Sequence, residues 1–179
     1  MWAVRLNRKP HPMAFTEALL KQVCTRLHRA GELTHLDGGF ALPQLLLLAS
    51  SDVAEAVVLP DGKPSGAGHV LLRRRASAIG AVAAVFTCEA WVGFVSAPPE
   101  GIEYLAPDDL PRAGDLPDRI EGVVTTGVWP AGQATVHLLS LIDRTPDGSR
   151  LRPVQQFTAR DYGASRWLES LVGAPPGPG

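Results

Sequence analysis

The chain has 179 residues, of which 45% are hydrophobic and 20% are charged, and its formal net charge is -1. This length and composition predict one globular domain with one core. The balanced charge argues against nucleic acid as a partner, because phosphate binding requires a basic surface. No apolar run approaches the roughly 18 residues of a membrane span, and the basic N-terminus is not followed by the apolar region of a signal peptide. We therefore expect a cytoplasmic protein without membrane contact.

The first third of the chain is predicted to hold one helix and two strands. Residues 1–10 are polar and are interpreted as a short arm. Pro12 suits the first turn of a helix, where its missing N–H is not needed, and Gly31 suits the end of that helix. The apolar residues between them recur at helical spacing: Phe15, Leu19, Leu20, Val23, Cys24 and Leu27. Residues 42–49 and 54–59 are then predicted as two antiparallel strands, closed by a Pro-Asp-Gly turn.

The middle of the chain is predicted to hold a second helix and the longest strand. Ser65 is a candidate N-cap, and Gly80 a candidate end, for a helix over 66–80. Residues 82–95 alternate, with one uniformly apolar face and one mixed face. An acidic, proline-rich connector follows over 96–118, and connectors of this length are often functional.

The last third is predicted to hold three more strands and a helix. Residues 119–129 and 134–143 alternate and pair across a Pro-Ala-Gly turn. An Asp-Gly turn then leads to a short edge strand over 152–157. A helix over about 159–172 follows. Residues 174–179 consist of proline, glycine and one alanine, and are expected to be disordered.

Together these elements predict an α+β fold. Their order is α-ββ-α-ββββ-α, with a mainly antiparallel mixed sheet of about five to six strands packed with three helices. Several hairpins separated by helices favour antiparallel pairing over the alternating pattern of parallel α/β folds. Residues 1–173 are predicted to form the single domain.

The sequence contains none of the local signatures of the common enzyme classes. It has no nucleophile elbow, no phosphate-binding loop and no dinucleotide-binding fingerprint. Its two cysteines and five histidines show no metal-ligand spacing. Cys24 and Cys88 lie in apolar segments and are expected to be reduced core thiols. We predict no cofactor and no metal, although a site assembled from distant residues stays open.

One candidate site is a set of polar residues on the predicted strands. Glu89, Trp91, Arg119, Glu121 and His137 would lie within a few strand spacings if their strands pair so that these residues share a face. The two carboxylates and the imidazole of this set could then carry acid–base chemistry or hold a divalent cation. These residues are Glu89, Glu121 and His137. The favoured alternative is a half-solvated antiparallel sheet with ordinary cross-strand ion pairs.

Three other features are candidates for binding. Arg73, Arg74 and Arg75 in the second helix could grip phosphate or an acidic partner, or could form a solvated face. The acidic connector could contact a basic partner or be a tolerated surface insertion. Trp91 and Trp129 lie on mixed strand faces, where aromatic side chains often mark a contact surface, unless a helix covers them.

Two segments, TCEAW at 87–91 and LPDRIEG at 116–122, resemble small uncharacterised bacterial and phage α/β proteins. In those proteins a strand ending near Glu-Ala-Trp is followed by a loop and a Pro-Asp-Arg-x-Glu strand. The resemblance covers residues 40–145 and implies no activity.

The leading hypothesis is a non-enzymatic binding or accessory module that acts through a sheet face or the acidic connector. Its partner would be another protein or a second copy of the chain, and its binding residues would be Trp91, Arg119 and Trp129. The first alternative is a metal-dependent or acid–base enzyme that uses the carboxylates and histidine of the strands. The second is a nucleic-acid-associated protein that uses the three arginines of the second helix, which the near-neutral charge disfavours.

Overall fold

The computed structural model describes residues 3–6, 15–49, 54–59, 62–93, 119–154 and 164–173. Three helices lie in these ranges: α1 (Glu17–Gly38), α2 (Gly66–Ile79) and α3 (Ala164–Val172). Seven strands form one sheet: β1 (Ala3–Leu6), β2 (Gln44–Ala49), β3 (Ala54–Val58), β4 (Ala81–Val92), β5 (Ile120–Trp129), β6 (Ala134–Thr145) and β7 (Gly148–Val154). The acidic connector 96–118, the predicted start of the last helix and the tail 174–179 lie outside the described residues.

The sheet has the order β1-β3-β2-β4-β5-β6-β7, and its neighbouring strands all pair antiparallel. This confirms the predicted α+β class and the order of its elements. Strand β1 adds to that order, because residues 3–6 of the expected polar arm pair with Ala54–Val57 of β3. A polar arm and an edge strand are hard to separate in a sequence, since an edge strand gains its order from the neighbour it pairs with.

The helices cover the two faces of the sheet. On one face, here called the α1 face, α1 packs over β4, β5 and β6 on a core that includes Leu20, Cys24 and Val85. On the opposite face, α2 and α3 cover a larger core of leucines and Phe86. Because successive residues of a strand point to opposite faces, Val85, Thr87, Glu89 and Trp91 of β4 all belong to the α1 face.

Helix α1 is longer at its C-terminal end than the sequence predicted. It begins after the N-cap Thr16, whose hydroxyl accepts a hydrogen bond from Leu19 N at 3.2 Å, and it ends at Gly39, which has a φ of 74°. Gly31, the predicted end, lies buried inside the helix. A Cβ at Gly31 would come within 3.2 Å of Thr87 Oγ1, so the glycine permits close packing of helix on sheet rather than termination.

The second helix has the predicted bounds. Ser65 precedes it in an extended conformation, and Gly80 ends it with a φ of 65°. The predicted edge strand is shifted toward the N-terminus, because β7 begins directly at Gly148 after the Asp-Gly turn. None of the described helices is long and apolar enough to cross a membrane.

The two cysteines occupy different environments, and neither forms a disulfide. Burial raises the pKa of the Cys24 thiol to about 12, so almost none of it is the reactive thiolate at neutral pH. Cys88 is partly exposed on the opposite face of the sheet.

We expect a thiol reagent to modify Cys88 slowly in the folded protein and to leave Cys24 unmodified. Mass spectrometry of tryptic peptides after timed alkylation would measure both rates. Denatured protein, in which both thiols should react, is the control. Native labelling of Cys24 at the rate of Cys88 would contradict the packing of α1 on the sheet.

Candidate functional site

A chain of buried polar side chains connects α1 to the sheet. His28 Nδ1 lies 3.0 Å from Thr125 Oγ1, and His28 Nε2 lies 3.1 Å from Ser140 Oγ. Thr125 Oγ1 is 2.7 Å from Thr87 Oγ1, and Ser140 Oγ donates to Glu32 Oε1 at 2.7 Å. We call these five residues the His28 network. Three strands, β4, β5 and β6, each supply one hydroxyl to it.

The network is closed to substrates. Thr87, Thr125 and Ser140 are each 0% exposed, and a nucleophile or base has to reach the atom it acts on. Serine and histidine also pair in serine hydrolases. Here, however, Ser140 Oγ donates to Glu32, and Ser140 is buried where no substrate can reach it. We interpret the network in the folded protein as an internal polar contact between helix and sheet.

Glu32 on α1 is the last residue of the network. Burial by itself would raise the pKa of its carboxyl, but hydrogen bonds from Ser140 and Arg29 outweigh burial and hold the pKa below its ordinary value. Arg29 Nη1 lies 2.9 Å from Glu32 Oε2, and its side chain is largely exposed. The carboxylate is therefore ionised at neutral pH and accepts from both neighbours.

For His28, the effect of burial on the pKa outweighs that of the neighbouring charge. Burial lowers the pKa of its imidazole below the ordinary 6.5, and the nearby Glu32 carboxylate partly offsets that effect. The distance from Nε2 to Glu32 Oε1 is 3.8 Å. The imidazole is consequently neutral near pH 7 and is a proton acceptor at lower pH.

A second polar contact lies one to two turns further along α1. Glu89 Oε1 accepts a hydrogen bond from Ala41 N at 2.5 Å and lies 2.6 Å from His35 Nδ1. The side chain of His35 is fully buried. Glu89 therefore fixes both the last turns of α1 and the segment that leads into β2 to the middle of the sheet.

The predicted strand site is only partly assembled. Glu89, Trp91 and Glu121 lie on the α1 face, and Arg119 Cζ lies 5.0 Å from the centre of the Trp91 ring. The candidate site required His137 on this face, and this condition is not met. Its register partner is Thr126, on the opposite face, where Nδ1 lies 3.2 Å from Thr126 Oγ1.

The two carboxylates of that predicted site are also engaged separately. Glu89 holds His35 and Ala41, whereas Glu121 pairs with Arg144 at 2.7 Å. In the described part of the chain, no group of three or more His, Cys, Asp or Glu side chains is placed to hold a metal ion. The Glu121–Arg144 contact is a cross-strand ion pair of the ordinary kind, whereas Glu89 bonds to α1 and to the segment after it.

The other predicted binding residues differ in exposure. Arg73 and Arg74 are exposed on α2, but Arg75 Nε is 2.6 Å from Glu55 Oε1 on β3. Trp129 packs beside Phe15, with ring centres 5.4 Å apart, in the core beneath α1. Trp91 is 49% exposed, so it is the one of the two strand tryptophans that can meet a partner.

Large apolar side chains are exposed in the last turns of α1, in the segment after it and on β4. We call them the apolar surface: Leu33, Leu36, Phe40, Leu42 and Trp91, which are between 43% and 49% exposed. The contacts of Glu89 bring the segment that carries Phe40 and Leu42 to the strand that carries Trp91. The Glu89 carboxylate holds Ala41, which lies between Phe40 and Leu42, and Trp91 is the next residue of β4 on the same face.

The His28 network was not predicted from the sequence, although part of it is visible there. His28, Glu32 and His35 continue the stripe of Leu20 and Cys24 at helical spacing, so polar residues occupy a helix face that is otherwise apolar. A polar residue on such a face requires a buried partner. The partners themselves, on β5 and β6, depend on strand register.

Comparison with known proteins adds nothing to these observations. The chain matches no protein-family model, no curated protein and no solved structure.

Proposed function

We propose that this protein is a non-enzymatic binding module that associates with a second copy of itself through the apolar surface. The observation that carries the proposal is the exposure of five large apolar side chains on the last turns of α1, on the segment that follows it and on β4. Single exposed apolar residues are common, but a group of them at one place marks a contact surface. Trp91 belongs to this surface, and tryptophan is a typical anchor of protein interfaces.

The charges around the surface support a second copy as the partner. Arg119 lies over Trp91, and Glu121 is paired with Arg144 on the neighbouring strand. A two-fold interface brings the same patch together from both sides, and this patch carries charges of both signs. The net charge of -1 adds little repulsion between copies.

The polar residues of the sheet favour binding over catalysis. Glu89 and Glu121 already have partners, and the hydroxyls of the His28 network are buried. Five apolar side chains make a small interface, so we expect association in about the micromolar range rather than an obligate dimer.

Light scattering after size-exclusion chromatography, over a concentration series, tests the proposal. We expect the mass to rise from monomer to dimer with concentration. Trp91→Ala and Leu36→Glu should each weaken association at least about tenfold, because they remove an anchor or place a charge in a desolvated contact. Neither change should alter the free energy of unfolding by more than about 1 kcal/mol, since both side chains are half exposed.

Leu71→Glu is the matched control, because Leu71 is also 49% exposed but lies on α2, on the other side of the sheet. It should dimerise like the parent chain. A strictly monomeric mass at every concentration would overturn the proposal. Association that Leu71→Glu disrupts and Trp91→Ala leaves intact would place the interface on α2 instead.

A further inference from the structure

The His28 network has a property that its packing role does not require. We propose that His28 is a proton-binding site inside the fold, because the hydrogen-bond chain around it can take up one proton without losing a hydrogen bond. The inference is independent of the proposed self-association. It rests on the order in which the five polar side chains of the network contact one another, and on the carbonyl oxygen of Val124, which can accept a hydrogen bond from Thr87 at the end of the chain.

The neutral form has a single consistent arrangement of protons. The Glu32 carboxylate can only accept, so the hydroxyl proton of Ser140 points to it. Ser140 must then accept from His28, which places the imidazole proton on Nε2. The remaining nitrogen, Nδ1, then accepts from Thr125. In this form Thr87 can donate to Thr125, 2.7 Å away, whereas Thr125 donates to Thr87 when Nδ1 carries a proton. Every proton in this form points toward Glu32.

Protonation at Nδ1 reverses half of that chain. The new N–H donates to Thr125 Oγ1, so the hydroxyl proton of Thr125 turns to Thr87 Oγ1, 2.7 Å away. The hydroxyl proton of Thr87 turns to the carbonyl oxygen of Val124, at 3.2 Å. Two hydroxyl rotations are the only change, and no donor is left unpaired.

The charges that face His28 also accommodate the proton. On its own helix, Glu32 Oε1 is 3.8 Å from Nε2, and Arg29 is bound to the other oxygen of that carboxylate. One turn further along, His35 is held by Glu89 of β4. Strands β5 and β6 present only the hydroxyls of Thr125 and Ser140 to the ring. The nearest charge is therefore an anion, which favours imidazolium.

Nuclear magnetic resonance of the histidine ring nitrogens, from about pH 8 to about pH 5, tests this assignment in the intact chain. We expect the neutral ring of His28 to carry its proton on Nε2, and to gain a proton at Nδ1 while the protein stays folded. The amide spectrum, recorded in parallel, reports whether the fold persists at each pH.

Thr87→Val is the decisive variant, because Thr87 does not touch the imidazole. In the neutral arrangement it removes only a donor to Thr125, which still donates to His28, but in the charged arrangement it removes the acceptor that Thr125 needs. The pKa of His28 should fall by about one unit or more, a tenfold loss of proton affinity. Thr87→Ser, which retains the hydroxyl, should restore the parent pKa. A purely structural role of Thr87 predicts no change.

Thr126→Val is the matched control, since Thr126 lies on the opposite face beside His137. It should leave the titration of His28 unchanged. The proposal is overturned if the neutral ring carries its proton on Nδ1, if Thr87→Val leaves the pKa of His28 in place, or if His28 never titrates before the protein unfolds.

Discussion

Replacement of Gly127 by alanine is expected to destabilise the protein by about 1–3 kcal/mol, the usual cost of an added methyl group in a well-packed core. Gly127 lies on β5 directly beneath α1, and a Cβ there would overlap Cys24 Sγ and press on Leu20 and Val85. Cys24 and Leu20 are fully buried, so neither has free space to move into. Chemical denaturation would measure the loss as a lower midpoint with an unchanged slope.

The expected cause can be separated from a general effect of losing a glycine. Cys24→Ala removes the atom that the new methyl group meets, so the double variant should lose much less than the sum of the two single variants. Gly38→Ala is the control, because no atom lies within 4 Å of the added Cβ. Additive effects of Cys24→Ala and Gly127→Ala would show that α1 does not approach β5 at this point.

Local sequence signals predicted both ends of α2. Ser65 and Gly80 bracket α2 in the sequence as in the structure, because an N-cap and a left-handed glycine act within one turn of the helix. Gly31 carries the same local signal as Gly80 but has a different cause. It is conformationally ordinary and lies where the helix meets Thr87 and Val123. Only the packed structure separates these two uses of glycine.

Strand register set the limit on predicting the site. Alternation correctly placed Glu89 and Trp91 on one side of β4, but it could not say which side of β6 faces them. The candidate site depended on His137 lying there, whereas the register puts Ser140 on that face, opposite Val123. A shift of one residue in pairing exchanges every side chain between the faces. The contact between His28 and Ser140, 112 residues apart, was beyond any local pattern.

The stability of the protein is expected to fall in two steps as the pH is lowered. Burial holds the folded pKa of His28 below the ordinary 6.5, and hydrogen bonds hold that of Glu32 below 4.5. In both cases the unfolded chain binds the proton more tightly, so acid favours unfolding. The contribution of neutral His28 is complete above about pH 6.5 and declines below it. That of ionised Glu32 declines below about pH 4.5.

A variant without an imidazole at position 28 should remove the first step. His28→Gln lacks a titrating group, so the decline that begins near pH 6.5 should flatten. Unfolding midpoints in urea, measured at closely spaced pH values, resolve the two steps. An unchanged pH dependence of His28→Gln between neutral pH and about pH 5 would mean that another group causes the first step.

Glu32→Ala should cost about 2–3 kcal/mol at neutral pH, because it leaves the buried Ser140 hydroxyl without its charged acceptor. The difference from the parent chain should shrink as the pH falls, since protonation of Glu32 weakens the same interaction in the parent. Glu17→Ala removes a carboxylate from the same helix, where Glu17 and Lys21 form an exposed pair, and should cost about 1 kcal/mol or less. A loss for Glu32→Ala that stays constant down to about pH 3, well below the ordinary pKa of a glutamate, would show that the carboxylate contributes through its volume rather than its charge. The distinction matters for the network as a whole, because the ionised carboxylate orients the Ser140 proton and thereby the proton of His28.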